Sequence, residues 1–553
     1  MKKLLPLLTF LISFQLLAQE DAWLYLKDKP SSGTFLASPL TMLSQRALDR
    51  RAAQSIDLDS KDVPVEVSYY SQIKNATGIT VLAKSKWLNA IHVQGSETDI
   101  KNLKTTFSFV HNIEFANKSL NAKGKFSQKS SQRKKKNKFA KTNTTFNYGD
   151  ASNQIEMLKG DYLHEQDFTG KNAQIAIIDA GFPNVNTLAA FKRLRDNNQI
   201  LGGYDFVERD EDFYTGHNHG THVLSTIGGY IENEFVGTAP DASFYLFRTE
   251  DAANEVPLEE SLWVEAAERA DSLGVDVINT SLGYSTFDDS KYDYSYADMD
   301  GKTTFITRGA EIGATKGMLI VVSAGNEGNN PWHYISAPAD APSVITVGAV
   351  NNVGNIAAFS SFGPTSDNRV KPEIVAKGQS ASIIHYNSGL TSTSNGTSFS
   401  APIIAGLIAC LNENKGFTLK STNQSSKNLN EYLKQAVYKS ADKYNNPTDQ
   451  YGYGLPNFEV ALANYVSSLS VDENVLQKVA IYPNPISNTF TLDVNNVDLS
   501  GLNIQIFNVI GEKVFEKRNL KNKTIDVSIL NSGIYILKLM SGTHHKTIKL
   551  IKK

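Results

Sequence analysis

One stretch constrains the fold of this chain more than any other: a polar loop, Asn395–Pro402, runs directly into the apolar segment Ile403–Cys410. Proline lacks a backbone N–H and is favoured in the first turn of a helix, so the pattern predicts a buried helix that starts near Pro402. Thr397 or Ser398 would cap this helix. Ser398 would then lie near unpaired backbone donors and the positive end of the helix dipole, where an oxyanion is stabilised. An N-cap serine without chemistry explains the same pattern equally well.

The length and charge of the chain limit the number of domains and the kinds of partner that we expect. A chain of 553 residues is too long for one core, so several domains are expected. A hydrophobic content of 41% and a charged content of 20% are those of a globular protein. The 55 Lys and Arg nearly balance the 57 Asp and Glu, which gives a net charge of −2. We therefore expect no nucleic-acid partner.

Residues 1–18 have the pattern of a secretory signal peptide. Lys2 and Lys3 form the positive region, Leu4–Leu17 forms the apolar region, and Ala18 offers a small residue for cleavage before Gln19. A short membrane anchor is the alternative, but the apolar stretch is shorter than a spanning helix. The sequence predicts export, with no transmembrane segment in the mature chain.

The chain has one cysteine, Cys410, so no internal disulfide can form. Because Cys410 lies in the apolar segment after Ser398, we expect a buried, inert thiol rather than a nucleophile. Stability must then come from packing and from any bound ions.

Two segments precede the main domain. Residues 19–119 predict a small α+β unit, with strands at Thr80–Ala83 and Asn89–Val93 and a capped helix at Ser96–Leu103. Residues 120–147 predict a basic linker that cannot bury a core and is open to proteolysis. Its basic residues, with no acidic residue among them, are Lys123, Lys125, Lys129, Arg133, Lys134, Lys135, Lys136, Lys138 and Lys141.

Residues 148–467 alternate short apolar runs with helical patterns. The runs Gln174–Ile178, Val275–Asn279 and Met318–Val322 are typical of parallel strands buried on both faces. Between them, Glu259–Leu273 has helical spacing and stops at Gly274. This alternation predicts an α/β domain that binds ligands at the carboxyl ends of its strands.

Residues 476–553 lose the helical patterns. Thr489–Val494, Asn503–Phe507 and Ile534–Leu539 alternate apolar and polar residues with a period of two, and turn residues separate them. The pattern predicts a small β-sandwich.

Polar residues that carry chemistry follow the predicted strands of the α/β domain. Asp179 ends one strand, the histidine-rich segment His217–Val223 opens a helical stretch, and Ser398 precedes the buried helix. A serine hydroxyl needs a base to become a nucleophile, and the base needs a carboxylate to orient it. Asn326 follows the strand Met318–Val322, and its amide could donate to an oxyanion together with the Ser398 N–H.

At these residues the sequence resembles the subtilisin-like serine proteases, or subtilases. Each matching block alone is only moderately specific, but five in this order across roughly three hundred residues are highly specific. The blocks are Ile177–Gly181, His219–Val223, Asn279–Gly283, Ala324–Gly328 and Asn395–Pro402.

The resemblance implies a role for each site residue. Asp179 orients the base, His219 is the base, Ser398 attacks, and Asn326 holds the oxyanion. Ser281, Leu282 and Gly283 would form a strand that pairs with the extended substrate, and Ala324 and Gly325 would form the facing wall of the primary specificity pocket. Ala180 departs from the Ser or Thr that many relatives carry after the aspartate.

The resemblance extends to both flanks. The α+β unit of residues 19–119 resembles a subtilase propeptide, and the basic linker would be its maturation region. The C-terminal sandwich resembles the type A sorting domain of type IX secretion substrates. A carbohydrate-binding sandwich is the alternative, but no row of aromatic residues supports it. The residues that carry this resemblance are Ile481–Pro485, Phe507–Glu512, Leu530–Tyr535 and Lys549–Lys553.

Metal binding has weaker support. His217, His219 and His222 form a local group of histidines, but their spacing matches no zinc template. Asp298–Gly301 and the acidic run 205–212 supply hard oxygen ligands, and a solvated acidic surface explains them equally well. No cofactor is required for the chemistry, we assign no metal ligands, and structural calcium stays unassigned.

The sequence therefore predicts an exported serine endopeptidase that acts through an acyl-enzyme. Its partners would be polypeptide substrates and the type IX secretion machinery. The predicted fold is a subtilisin-like parallel sheet with helices on both faces, preceded by the α+β propeptide and followed by the sandwich. The alternative is an adhesin or binding protein on a decayed protease fold, which would lack a member of the catalytic set.

Overall fold

The structure is a computed structural model that describes residues 19–121, 146–422, 429–469, 479–493, 502–518, 520, 522–541 and 544–553. The predicted signal peptide and most of the predicted linker, residues 122–145, lie outside these ranges. The chain forms two compact units, Met1–Ser467 and Ser468–Lys553. In the described ranges no helix combines the length and the apolar character that crossing a membrane requires.

The first unit opens with a four-stranded antiparallel sheet in the order β2-β3-β1-β4. Ser96 caps helix α4 by accepting a hydrogen bond from the Asp99 N–H, as the sequence predicts. The α+β prediction for this part is confirmed. Its elements are β1 (Gln19–Leu26), α1 (Ser32–Ala37), α2 (Gln45–Ala53), α3 (Val67–Lys74), β2 (Ile79–Ser85), β3 (Ala90–Ser96), α4 (Glu97–Thr106) and β4 (Val110–Phe115).

The rest of the first unit holds a seven-stranded parallel sheet. Its strands within the described ranges are β5 (Gln174–Asp179), β6 (Ile200–Asp205), β9 (Ser243–Arg248), β10 (Val277–Thr280), β11 (Leu319–Ser323), β12 (Ile345–Val350) and β13 (Ile374–Lys377). They lie in the order β13-β12-β11-β10-β5-β9-β6. Four short strands form two hairpins outside it: β7 (Tyr230–Ile231), β8 (Phe235–Val236), β14 (Ala381–Ile384) and β15 (Thr391–Ser394).

Helices cover both faces of this sheet, so its central strands are buried along their whole length. On one face α9 and α10 share a core with Ala176, Ile278 and Ile320, while α8 and α11 contact each other and the strands from the other face. The α/β prediction is confirmed. The helices are α5 (Ser152–Glu156), α6 (Gly160–Glu165), α7 (Lys192–Asp196), α8 (His219–Gly228), α9 (Pro257–Leu273), α10 (Phe305–Thr315), α11 (Thr397–Thr422), α12 (Leu429–Ser440) and α13 (Phe458–Leu469).

The α+β part packs on α9 through buried polar contacts. Trp23 donates from its indole to Ser261 Oγ at 2.8 Å, and Ser85 Oγ donates to Glu268 at 2.6 Å. Short 3₁₀ turns complete the unit at Pro39–Thr41, Lys118–Leu120, Ala189–Phe191, Ser290–Tyr292 and Tyr296–Asp298. Cys410 is buried in α11 and burial raises its thiol pKa well above the usual value, which confirms the inert thiol.

The second unit is all β in its described residues. One sheet has the order β16-β17-β20 and the other β19-β18-β21-β22, with antiparallel pairing throughout. Phe490, Ile504 and Leu537 from the two sheets share one core, which confirms the predicted sandwich. The strands are β16 (Ala480–Tyr482), β17 (Thr489–Asp493), β18 (Leu502–Phe507), β19 (Lys513–Lys517), β20 (Thr524–Asp526), β21 (Gly533–Ser541) and β22 (His544–Lys552).

Candidate active site

Asp179 and His219 meet at the carboxyl edge of the parallel sheet. Asp179 is the last residue of β5, and His219 is the first residue of α8. Their closest atoms, Asp179 Oδ1 and His219 Nδ1, are 2.7 Å apart. Glycines allow this approach, because a Cβ on Gly220 would lie 2.5 Å from the carbonyl oxygen of Gly181.

The carboxylate sets both the tautomer and the charge preference of His219. Nδ1 donates to Asp179, so Nε2 is left to accept a proton from another group. Burial disfavours the charged imidazole, but the charge and hydrogen bond of Asp179 outweigh it and raise the pKa of His219 above its usual 6.5. Asp179 therefore stabilises the imidazolium that forms when His219 takes up a proton.

Ser398 is the second residue of α11, so the predicted start of this helix at Pro402 is wrong. The helix begins at Thr397, and Pro402 lies inside it. Because Pro402 has no N–H, the carbonyl of Ser398 lacks its helical partner, and Ser281 Oγ donates to that carbonyl at 3.0 Å instead. The hydrogen bond from Ser281 thus replaces the helical hydrogen bond that Pro402 cannot donate.

The Ser398 hydroxyl donates to the Ser281 carbonyl oxygen at 3.2 Å in this structure rather than to His219. His219 nevertheless lies beside the same segment, since its ring centroid is 5.8 Å from that of Phe399. Asn279 Nδ2 donates to Ser281 Oγ at 3.0 Å and so supports the serine that holds the start of α11.

Asn326 faces Ser398 across the cleft. It follows β11 through Gly325, whose φ of +108° favours glycine. Asn326 Oδ1 accepts from the Thr397 N–H at 2.9 Å and from Thr397 Oγ1 at 3.1 Å. These bonds fix the amide so that its Nδ2 donor is left free for the cleft.

A cavity of about 410 Å³ adjoins Ser398. Ser281, Leu282 and Gly283 line one wall, and Gly325 and Asn326 line the other. Ala324, which the resemblance places in the same wall, is fully buried behind it. Ser336 also lines the cavity.

The two other histidines of this segment, His217 and His222, do not line the cavity beside Ser398. His217 is exposed, and His222 accepts a hydrogen bond from the Tyr386 N–H at 3.2 Å. Burial and the neighbouring His219 and His385 lower the pKa of His222 to about 4. Within the described residues these three histidines do not form a group with metal-binding spacing.

One carboxylate in each acidic stretch considered for calcium contacts protein groups. Asp205 accepts from the Val207 and Glu208 N–H groups and pairs with Arg248 at 2.7 Å. Asp298 pairs with Lys118 at 2.7 Å. Local hydrogen bonds and ion pairs thus account for these two carboxylates, and structural calcium stays unassigned.

Sequence reasoning missed two parts of the cleft. Thr397 positions Asn326 over a separation of 71 residues, which no local pattern reveals. Glu250, Glu255 and Glu259 bring their carboxylates within 4.8 Å of one another near the cavity, because the loop after β9 folds back onto the start of α9.

The family model "Subtilase family" matches residues 170–454, the segment that contains all four predicted catalytic residues. The chain belongs to the subtilase family. It is therefore a serine endopeptidase, and the resemblance drawn from the sequence is confirmed. The model "Peptidase S8 propeptide domain, Bacteroidota" matches residues 21–143 of this subtilase.

The model "Secretion system C-terminal sorting domain" matches residues 480–553. This match confirms the resemblance to a type IX sorting domain. It marks the subtilase for secretion to the outside or the surface of the cell.

Similar proteins include characterised subtilisins. Subtilisin NAT of Bacillus subtilis subsp. natto and subtilisin E of Bacillus subtilis (strain 168) are each 30% identical over 316 residues, which span 56% of this chain and 70% of each relative. Subtilisin DY of Bacillus licheniformis is 28% identical over 309 residues, or 97% of its length. Among solved structures, the prenylagaramide maturation protease PagA matches 55% of this chain and 98% of its own, with 22% identity and a TM-score of 0.42.

Proposed function

We propose that this subtilase cleaves peptide bonds through Asp179, His219 and Ser398. His219 Nε2 takes the proton of Ser398 Oγ as that oxygen attacks the peptide carbonyl. The Ser398 N–H and Asn326 Nδ2 donate to the resulting oxyanion. His219 then gives its proton to the leaving amine, and water hydrolyses the acyl-enzyme by the same route.

The observation that carries this proposal is the 2.7 Å contact between Asp179 and His219 at the edge where Ser398 and Asn326 face one cavity. Ser398 Oγ would turn from the Ser281 carbonyl to His219 on substrate binding, since catalytic hydrogen bonds are often long or misaligned in the free enzyme. Ser281–Gly283 would pair with the substrate backbone, and Ala324 and Gly325 would back the opposite wall.

The proposed organisation assigns residues 1–18 to a signal peptide and 19–119 to a propeptide that blocks the cleft until it is removed. Residues 120–147 form the linker, 148–467 the catalytic domain and 476–553 the sorting sandwich. The proposed partners are polypeptides and the type IX secretion machinery, with no role for nucleic acid.

Digestion of an unfolded protein tests the function. Purified wild type is expected to degrade casein and to shed the residues before about Tyr148, while Ser398→Ala does neither; intact mass and gel electrophoresis check both. If wild type freed of its propeptide leaves casein intact, the chain is a binding protein on a protease fold.

A further inference from the structure

The cavity beside Ser398 is lined by acidic groups without basic neighbours. Glu255, Asp288 and Glu327 line it, and among its described lining residues there is no Lys, Arg or His. Within the described ranges none of these three carboxylates forms an ion pair. No positive side chain of the described lining therefore offsets these carboxylates inside the cavity.

Glu255 differs from the other two groups in its hydrogen bonding. Its side chain is half-buried, and its carboxylate accepts no hydrogen bond from the described residues. Asp288 lies beside it, since the Glu255 N–H donates to Asp288 Oδ2 at 3.0 Å. Asp288 is exposed and keeps its other carboxylate oxygen free.

Two further glutamates lie in this corner, but burial raises the pKa of Glu250 to about 8 and that of Glu259 to about 9, so both are largely uncharged at pH 7. Glu250 accepts from the Tyr284 hydroxyl at 2.5 Å, and Glu259 accepts from the Asp251 N–H at 2.8 Å. Burial and the neighbouring Asp288 raise the pKa of Glu255 to about 7. A cation in the cavity would favour the charged form of Glu255 and relieve the repulsion.

The chain itself carries a segment with the complementary charge. Residues 122–145 of the predicted linker contain nine Lys and Arg and no acidic residue. A protease with an acidic cleft would meet this segment as an intramolecular substrate.

We propose that the cavity beside Ser398 binds a lysine or arginine side chain from the acyl side of the scissile bond. Glu255 and Asp288 are its specificity-determining residues. This inference rests on the proposed function and names the class of substrate that the enzyme cleaves.

The test is a set of peptide 4-nitroanilides in which each acyl-side position in turn carries Arg, Lys, Leu or Glu. Wild type is expected to prefer Arg and Lys over Leu by at least about tenfold in kcat/KM at one of these positions. Glu255→Gln and Asp288→Asn each reduce that preference about tenfold while hydrolysis of the Leu peptide changes less than about twofold. The Leu peptide therefore also reports that the variants are folded.

Glu232→Gln is the matched control, because it removes one exposed carboxylate that does not line this cavity. Its Arg-to-Leu ratio is expected to equal that of wild type. A ratio near one at every acyl-side position overturns the inference while digestion of the Leu peptide leaves the proposed function standing. An equal loss in Glu232→Gln also overturns it, and an inert wild type overturns the function itself.

The pH dependence gives a second readout. The titratable groups that face Glu255 are Asp288, Glu250, Glu259 and the Tyr284 hydroxyl, and none of them is basic. As the pH rises through about 7, Glu255 loses its proton, so the Arg-to-Leu ratio is expected to rise. Protonation of His219 affects both peptides equally and cancels in the ratio. The inference fails if the ratio is flat with pH, or if Glu255→Gln keeps the same rise.

Discussion

The two ends of α9 lie beside groups of acidic residues that differ in their partners. Near its carboxyl end, Asp271 pairs with Arg51 at 2.7 Å and also with Arg50, and both arginines come from the α+β part. Arg51 also pairs with Asp62 at 2.9 Å. At its amino end, Glu259 meets Glu250 and Glu255 with no cation among the described residues.

The pKa values follow this difference. Burial opposes the charge of Asp62, but Arg51 outweighs it and lowers the Asp62 pKa to about 2. Burial and Asp288 instead raise the Glu255 pKa to about 7. The paired group joins the α+β part to the catalytic part, whereas the unpaired group lies at the cleft and is open to a ligand. Changes in the cleft should therefore alter rates, and changes in the paired group should alter stability.

Among the variants that keep Ser398 and His219, the largest rate effect is expected from Asp179→Asn. The amide keeps the shape of the carboxylate but holds His219 in the wrong tautomer, so kcat should fall about 10⁴-fold, the size established for loss of the orienting carboxylate in serine protease triads. Steady-state kinetics on a peptide substrate check it, and urea unfolding should differ little from wild type. A fall in kcat below tenfold would remove Asp179 from its role.

The largest stability effect is expected from Asp271→Asn, made in the Ser398→Ala chain so that the propeptide stays attached. It leaves Arg50 and Arg51 buried without their shared carboxylate, so the free energy of unfolding should fall by about 3–5 kcal/mol. Urea titration measures this change. Asp196→Asn, in an exposed pair with Lys192, is the control and should change it far less. If the two variants lose the same free energy of unfolding, the buried ion pairs of Asp271 contribute no more than an exposed surface pair.

Asn326→Ala should reduce kcat about 10²–10³-fold with little change in KM, the size established for an oxyanion donor of subtilisin. The reason is that its amide meets negative charge only in the transition state. Asn329→Ala, three residues further along an exposed loop, serves as the control. An unchanged kcat for Asn326→Ala would contradict the oxyanion role.

The smallest effect concerns pH. His219 must be neutral to act as a base, and Asp179 raises its pKa above 6.5. As the pH falls, kcat/KM should therefore begin to drop above pH 6.5, about tenfold per unit. A pH profile with a Leu peptide, which does not depend on Glu255, measures this limb. A midpoint below 6.5 would contradict the effect of Asp179.

Local patterns were enough to predict the strands β5, β10 and β11, the helix α9 and the residues at the ends of these strands. They failed where a contact with a residue far away in the sequence determines the local structure. Pro402 was placed at a helix start, but Ser281 satisfies the carbonyl that the proline leaves free, and the helix starts five residues earlier. The cluster of Glu250, Glu255 and Glu259 depends on the conformation of the loop after β9, and neither hydrophobic periodicity nor a helix-capping pattern predicts that conformation.

Covalent labelling of the nucleophile tests the central claim most directly. A serine-directed phosphonate is incubated with the wild-type enzyme, and intact mass with peptide mapping locates the adduct. The account predicts one adduct, on Ser398, that is absent in Ser398→Ala and formed far more slowly in His219→Ala. An adduct on another serine, or none on a protein that still digests casein, would contradict it.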